Sequence, residues 1–110
     1  MARLLIVDDE KGIRDALAQV FEYEGQEVRV AEDGPDALLV AGSFHPDLIF
    51  LDVKMPGMDG LEVLARLRDE SPGSLIIMIS GHGTIDTALE ATRKGAYDFL
   101  QKPLDTDRLL

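Results

Sequence analysis

The sequence has 110 residues and is 45% hydrophobic, the size and apolar content of one domain with one core, so residues 1–110 are read as a single unit. Its 21 acids against 11 bases give a net charge of −10, which repels phosphate backbones and anionic lipid and argues against direct nucleic-acid or membrane binding. There is no cysteine, hence no disulfide or thiolate metal site, and neither a basic-plus-apolar leader nor an apolar run of membrane-spanning length appears; proteins or cations are the expected partners and the cytoplasm the expected compartment.

Arg3-Leu4-Leu5-Ile6-Val7 is an apolar run of strand length that stops at Asp8-Asp9-Glu10. Ile13, Ala16, Leu17, Val20 and Phe21 then recur at helical spacing as far as Gly25, a C-terminal cap, and predict a first crossover helix. Glu27-Val28-Arg29-Val30-Ala31 alternates with period two, as a strand at the sheet's edge would. Asp33 reads as the cap of a second helix that turns Ala37, Leu38 and Ala41 inward and runs out near Gly42-Ser43. After Phe44-His45-Pro46, the four successive apolar residues Leu48-Ile49-Phe50-Leu51 predict a buried parallel strand presenting Asp52 at its end. Asp59 and Glu62 have capping-box spacing and open a third helix, with Leu61, Leu64 and Leu67 inward and Arg66, Arg68, Asp69 and Glu70 outward.

Ser71-Pro72-Gly73-Ser74 breaks that helix, and the apolar strand Leu75-Ile76-Ile77-Met78-Ile79 ends in Ser80-Gly81-His82-Gly83-Thr84. Thr84 as cap, Ile85, Ala88, Leu89 and Thr92 as inner face and Gly95 as stop predict a fourth helix. Ala96-Tyr97-Asp98-Phe99-Leu100 predicts the fifth strand, closed by Gln101-Lys102-Pro103. Asp105 would cap a fifth helix, of which residues 106–110 are little more than a turn. Such a helix is not self-sustaining, so the expectation is the amino-terminal piece of a longer regulator, its last apolar face frayed or covered by a second molecule, as in a homodimer.

Strands alternating with helices predict an α/β fold: a doubly wound, five-stranded parallel sheet with helices on both faces and right-handed crossovers. With the fully apolar strands central and the alternating one at the edge, the order is 2-1-3-4-5, and ligands are expected outside the carboxyl ends of the first and third strands. That crevice collects Asp8, Asp9 and Asp52. Three carboxylates would repel by up to ~4 kcal/mol per close pair at the effective dielectric of a protein surface. An all-oxygen donor set with room for water suits Mg2+ better than a Ca2+ cage. Lys102 adds a permanent cation and Ser80 a hydroxyl. These are the parts for phosphoryl transfer onto Asp52, since carboxylates form aspartyl phosphates and the transfer needs mainly in-line positioning and neutralised equatorial oxygens.

Ile6-Val7-Asp8-Asp9-Glu10, Leu51-Asp52-Val53-Lys54-Met55-Pro56-Gly57-Met58-Asp59-Gly60, Ser80-Gly81-His82-Gly83 and Lys102-Pro103 together resemble response-regulator receiver domains, over essentially the whole chain. The resemblance implies that Asp52 accepts phosphate from a sensor histidine kinase, the domain taking part in its own phosphorylation and dephosphorylation without being a separate enzyme. It implies Mg2+ ligated by Asp9, Asp52 and the Lys54 carbonyl, with Asp8 acting through metal-bound water. It further implies that Ser80 and Tyr97 are a switch pair, that Lys102 pairs with the phosphoryl oxygens next to a cis Lys102–Pro103 peptide, and that Lys54 and His82 tune the phosphoryl lifetime. The stretches Ile79–Thr84 and Gly95–Pro103 are similar, more narrowly, to receivers of the nitrogen-regulator class of transcriptional activators, which implies a following AAA+ ATPase and DNA-binding output domain. Ser80 stands where threonine is commoner in the family; the hydroxyl is kept.

Each of these residue types also has a plainer use. Asp after a strand often caps a helix, and Asp59 is assigned that role; for Asp8 and Asp9 the coincidence with two other polar strand ends favours a site. His82 has no second histidine at chelating spacing, His45 is a loop residue, Tyr97 would also suit plain strand packing, and Gly34, Gly57 and Gly60 are turn glycines. A flavin-mononucleotide module needs a phosphate loop where this chain has Asp-Asp-Glu. A phosphatase of the haloacid-dehalogenase type needs a second acid where this chain has Lys54. A stand-alone receiver serving as a phosphorelay or docking module stays the alternative to a transcription factor.

Overall fold

In the computed structural model, residues 1–55, 57–81 and 85–102 are described. The elements alternate: β1 (Arg3–Val7), α1 (Lys11–Tyr23), β2 (Glu27–Ala31), α2 (Gly34–Phe44), β3 (Leu48–Asp52), α3 (Gly60–Glu70), β4 (Leu75–Ser80), α4 (Ile85–Arg93) and β5 (Asp98–Gln101). All strands pair in parallel, in the expected order β2-β1-β3-β4-β5. Among the described residues no helix is long and apolar enough to cross a membrane.

The unbroken apolar runs occupy the middle because a central parallel strand is covered on both faces. Leu5, Val7, Ile49, Leu51, Ile76 and Met78 meet Ala37, Ala41, Val63, Leu64 and Leu67 of α2 and α3. Leu4, Ile6, Phe50 and Ile79 point the other way, onto Leu17 and Phe21 of α1, where the Phe21 and Phe50 rings stack at 5.3 Å. Each such large side chain contributes about 1.5–3 kcal/mol when fully buried. The edge strand β2 leaves Glu27, Arg29 and Val30 exposed.

Helix ends follow local chemistry. The Gly25 N–H reaches Glu22 O and the Gln26 N–H reaches Phe21 O, a Schellman closure that needs the positive φ of 85° at Gly25. Asp33 accepts the Asp36 N–H at 2.9 Å and Asp59 the Glu62 N–H at 3.0 Å, as their spacing predicts. α2 runs past Gly42-Ser43 to Phe44, because the Phe44 ring is buried with the Arg29 guanidinium 5.1 Å above it; His45, left-handed before Pro46, ends the helix. In α3, Val63 joins the inner face. Arg68 is drawn partly inward, where its guanidinium donates to Ser74 O.

The expected inner face of α4 is corrected. Among its described side chains Ala91 is the fully buried one, Ala88 is half-buried, Leu89 is 54% exposed and Thr92 is exposed. Ala91 joins the core beneath the helix while Leu89 is turned to solvent. Gly95, at φ 104°, closes α4 by the same motif as α1, with Gly95 N–H on Thr92 O and Ala96 N–H on Ala91 O. Ala96 is spent on that turn and the Tyr97 N–H leads the chain onto Ile76 O of β4 at 2.7 Å, so β5 starts at Asp98 instead of Ala96. The Thr84 cap, the Ile85 side chain, the Lys102–Pro103 peptide and the fifth helix lie outside the described residues.

Candidate functional site

Strand register assembles the site. Val7 lies level with Leu51, so Asp8 and Asp52 leave adjacent strand ends, and Asp52 pairs level with Ile79. Ser80 lies level with Gln101, and the Lys102 N–H donates to Ser80 O at 2.8 Å. The result is a cleft of about 240 Å³ lined by Asp9, Glu10, Asp52, Lys54, Ser80, Gly81 and Lys102. Asp52 and Ser80 are each 4% exposed and Asp8 is 1% exposed beneath them, while Asp9, Glu10 and Lys54 face solvent.

Every polar atom of Asp8 has a neighbour. Its N–H donates to Ala31 O at 3.2 Å, its carbonyl accepts from Arg14 Nη1 at 2.7 Å and its Oδ1 accepts from the Glu10 N–H at 2.9 Å. Among the described residues no hydrogen-bond donor is aligned on the buried Oδ2, and the Lys102 ammonium lies 3.0 Å away. The same Nζ lies 3.6 Å from Asp52 Oδ2 and 3.9 Å from Glu10 Oε1. Burial works to lower the Lys102 pKa, but the contact with Asp8 and the charges of Asp52, Asp8 and Glu10 outweigh it and hold the amine above its ordinary value.

Asp52 is pushed the other way. Burial first, then the Asp8 charge, raise its pKa to about 6, against the opposing pull of Lys102 and of the Lys54 N–H, which reaches Asp52 Oδ1 at 3.4 Å. Asp52 is therefore a carboxylate at neutral pH, but one whose charge is incompletely offset.

The loop after Asp52 is closed tightly. The Gly60 N–H donates to Val53 O at 2.7 Å, and a Cβ at Gly60 would fall 2.6 Å from Val53 Cα and closer still to Asp52 O. Only glycine lets the start of α3 lie against the backbone that carries Asp52.

For a cation, the described residues offer Asp8, Asp9 and Glu10, whose carboxylate oxygens come within 4.8 Å of one another. Asp52 is not in that group; Lys102 lies between it and Asp8. A hard all-oxygen donor set with a buried oxygen lacking an aligned donor fits a divalent cation such as Mg2+.

Of the residues expected at the site, Asp8, Asp9, Asp52, Lys54, Ser80 and Lys102 are brought together. Tyr97 is not in the cleft: it precedes β5 and is 69% exposed. His82 lies outside the described residues. Three contributors went unread in the sequence. Glu10 is visible as the third acid of Asp-Asp-Glu, Gly60 carries only the signal of a turn glycine, and Arg14, a polar residue one turn into an amphipathic helix, carries no signal of its own.

A fold of this order with acids, lysine and hydroxyl at the carboxyl ends of its strands defines a receiver, and the family comparison agrees. The family model described as response regulator receiver domain matches residues 4–110, and the chain belongs to that family. It is 46% identical over 109 residues to the nitrogen assimilation regulatory protein NtrX of Azorhizobium caulinodans, covering 97% of this chain and 24% of that protein. The chain thus spans about a quarter of the length of that curated relative. A receiver domain protein (CheY-like) from Methanospirillum hungatei superposes with a TM-score of 0.95 at 31% identity, covering 99% of this chain and 87% of that one. A response regulator from Burkholderia pseudomallei, crystallised with a phosphorylated aspartic acid, a calcium ion and citrate, gives 0.94 at 30% identity, covering 99% of this chain and 64% of that one.

Proposed function

We propose that this receiver accepts a phosphoryl group on Asp52 from a sensor histidine kinase, in a Mg2+-dependent step, and signals through α4 and β5 to an output domain that controls transcription. The observation that carries this reading is the setting of Asp52: a nearly buried carboxylate at a strand end, with a lysine 3.6 Å away. The phosphorylated aspartic acid of the Burkholderia pseudomallei protein and the likeness to a nitrogen regulator support it.

In the transfer, an Asp52 carboxylate oxygen attacks phosphorus, the P–N bond to the donor imidazole breaks, and its electron pair leaves with the imidazole. Asp8, Asp9 and Asp52, with the Lys54 carbonyl, would hold Mg2+, which supplies neutralisation of the phosphoryl oxygens. Lys102 exchanges its hold on Asp52 for a phosphoryl oxygen. The Ser80 hydroxyl donates to another, Tyr97 moves inward from its exposed position, and Lys54 and His82 flank the group and set its lifetime. The chain works as a phosphoacceptor in the cytoplasm, and a following AAA+ ATPase and DNA-binding domain would read its state.

Label acquired from acetyl phosphate with Mg2+ tests the chemistry. An acyl phosphate on Asp52 is released by hydroxylamine, whereas a phosphate ester on Ser80 resists it; hydroxylamine-stable label would overturn the reading.

A further inference from the structure

Arg14 touches the backbone of a cleft acid, and the proposed transfer leaves it without a task. It sits in the first turns of α1, where the ordinary use of a basic side chain is an ion pair one turn away, as Lys11 makes with Asp15 at 2.7 Å. Glu10, four residues before Arg14, is the favoured partner for such a pair. Among the described residues Arg14 pairs with no carboxylate. Its Nη1 donates instead to the Asp8 carbonyl at 2.7 Å, and the Glu10 carboxylate faces Lys102. Glu10 does not cap α1 with its side chain either.

The Asp8 carbonyl belongs to the peptide unit that carries the Asp9 N–H, and that unit is planar. Fixing the carbonyl therefore fixes the direction in which Asp9 leaves the chain. The other restraints on this three-residue turn act before it or across it: the Asp8 N–H on Ala31 O, and the Glu10 N–H on Asp8 Oδ1. Among the described residues Arg14 alone holds the peptide between the two acids. We infer that Arg14 is a positioning residue for cation binding: its hydrogen bond to the Asp8 carbonyl orients the Asp8–Asp9 peptide so that both carboxylates meet one divalent ion. The inference rests on the Mg2+-dependent reading above.

Position and charge make opposite predictions. As a nearby cation, Arg14 repels a metal ion, so its removal would tighten binding; as a hinge for the acids, its removal loosens it. Outer contacts that orient metal ligands typically cost 10–100-fold in affinity when lost, so Arg14→Met should weaken Mg2+ binding about tenfold. Arg14→Lys keeps one donor of similar reach and should recover most of the loss. The readout is Mg2+ titration of the unphosphorylated chain, followed by the amide shifts of Asp8, Asp9 and Glu10, alongside the Mg2+ concentration that half-saturates labelling by acetyl phosphate. Labelling by Arg14→Met at saturating Mg2+ should be retained. If Arg14→Met melts too low to titrate, Arg14→Gln, whose amide is too short for the carbonyl, is read in its place. Unchanged or tighter Mg2+ binding in these variants overturns the inference. Absence of labelling in wild type would instead sink the phosphoacceptor reading, leaving the titration to decide on Arg14.

Discussion

Asp52 stores a penalty that a bound cation would relieve. Its folded pKa of about 6 exceeds the ordinary 3.8, so between those values the folded chain holds a proton that the unfolded chain has lost. The contribution of this group to stability therefore falls as pH rises from about 3.8 through about 6, and is constant above. The shift corresponds to roughly 3 kcal/mol at most, and with partial screening in an open cleft about 1–2 kcal/mol is expected. Asp52→Asn should exceed wild type by that amount in urea unfolding with chelator at pH 7.5. The advantage should vanish near pH 4 and shrink with added Mg2+, which stabilises wild type by linkage. An Asn variant no more stable than wild type at pH 7.5 would contradict the account. Lys102 has the opposite sign. Its side chain is 15% exposed against 2% for Asp8, and its removal strands a buried carboxylate. Lys102→Met should cost about 3 kcal/mol in chelator, the low end for breaking a buried pair. An unchanged urea midpoint would mean that the pairing contributes nothing.

At the level of elements, glycines separate sharply by what surrounds them. At Gly60 an added methyl would run into the backbone of Asp52 and Val53, which cannot yield as a flexible side chain would. Gly60→Ala should lose more than about 3 kcal/mol or displace the acceptor loop, the range that marks a named structural cause. Gly42, inside α2 with nothing within 4 Å of its added Cβ, should gain up to about 1 kcal/mol as Gly42→Ala. Thermal melts of the two variants decide; equal shifts would refute the packing argument. The elements themselves were legible where one physical cause dominated. β1, β3 and β4 are apolar on both faces, and Asp33, Asp59, Gly25 and Gly95 punctuate the helices by local chemistry alone. The face of α4 was not legible. Ranking residues by hydrophobicity puts Leu89 inside, whereas the helix buries Ala91 and turns Leu89 outward. The Arg14 contact escaped for a related reason: a hydrogen bond between a helix side chain and a strand-end carbonyl depends on tertiary placement, which leaves no periodicity to read.

For the whole molecule, the cleft acids and Lys102 sit at one end of a rigid parallel sheet, while the exposed Leu89 and Tyr97 mark a lightly covered face at α4 and β5. A phosphoryl group can shift that face only by binding one of its arrangements better than the other. The expected shift recruits Ser80 and Lys102 and draws Tyr97 inward. With two tyrosines in the sequence, Tyr23→Phe leaves Tyr97 as the sole fluorescent reporter. Beryllofluoride with Mg2+ should protect it from iodide quenching, and unchanged quenching would confine the response to the cleft. Asp52 as the acceptor is tested most directly by intact mass after incubation with acetyl phosphate and Mg2+. Wild type should gain one phosphoryl group, chelator should abolish the gain, and Asp52→Asn should gain none; labelling of Asp52→Asn to the wild-type extent would contradict the account.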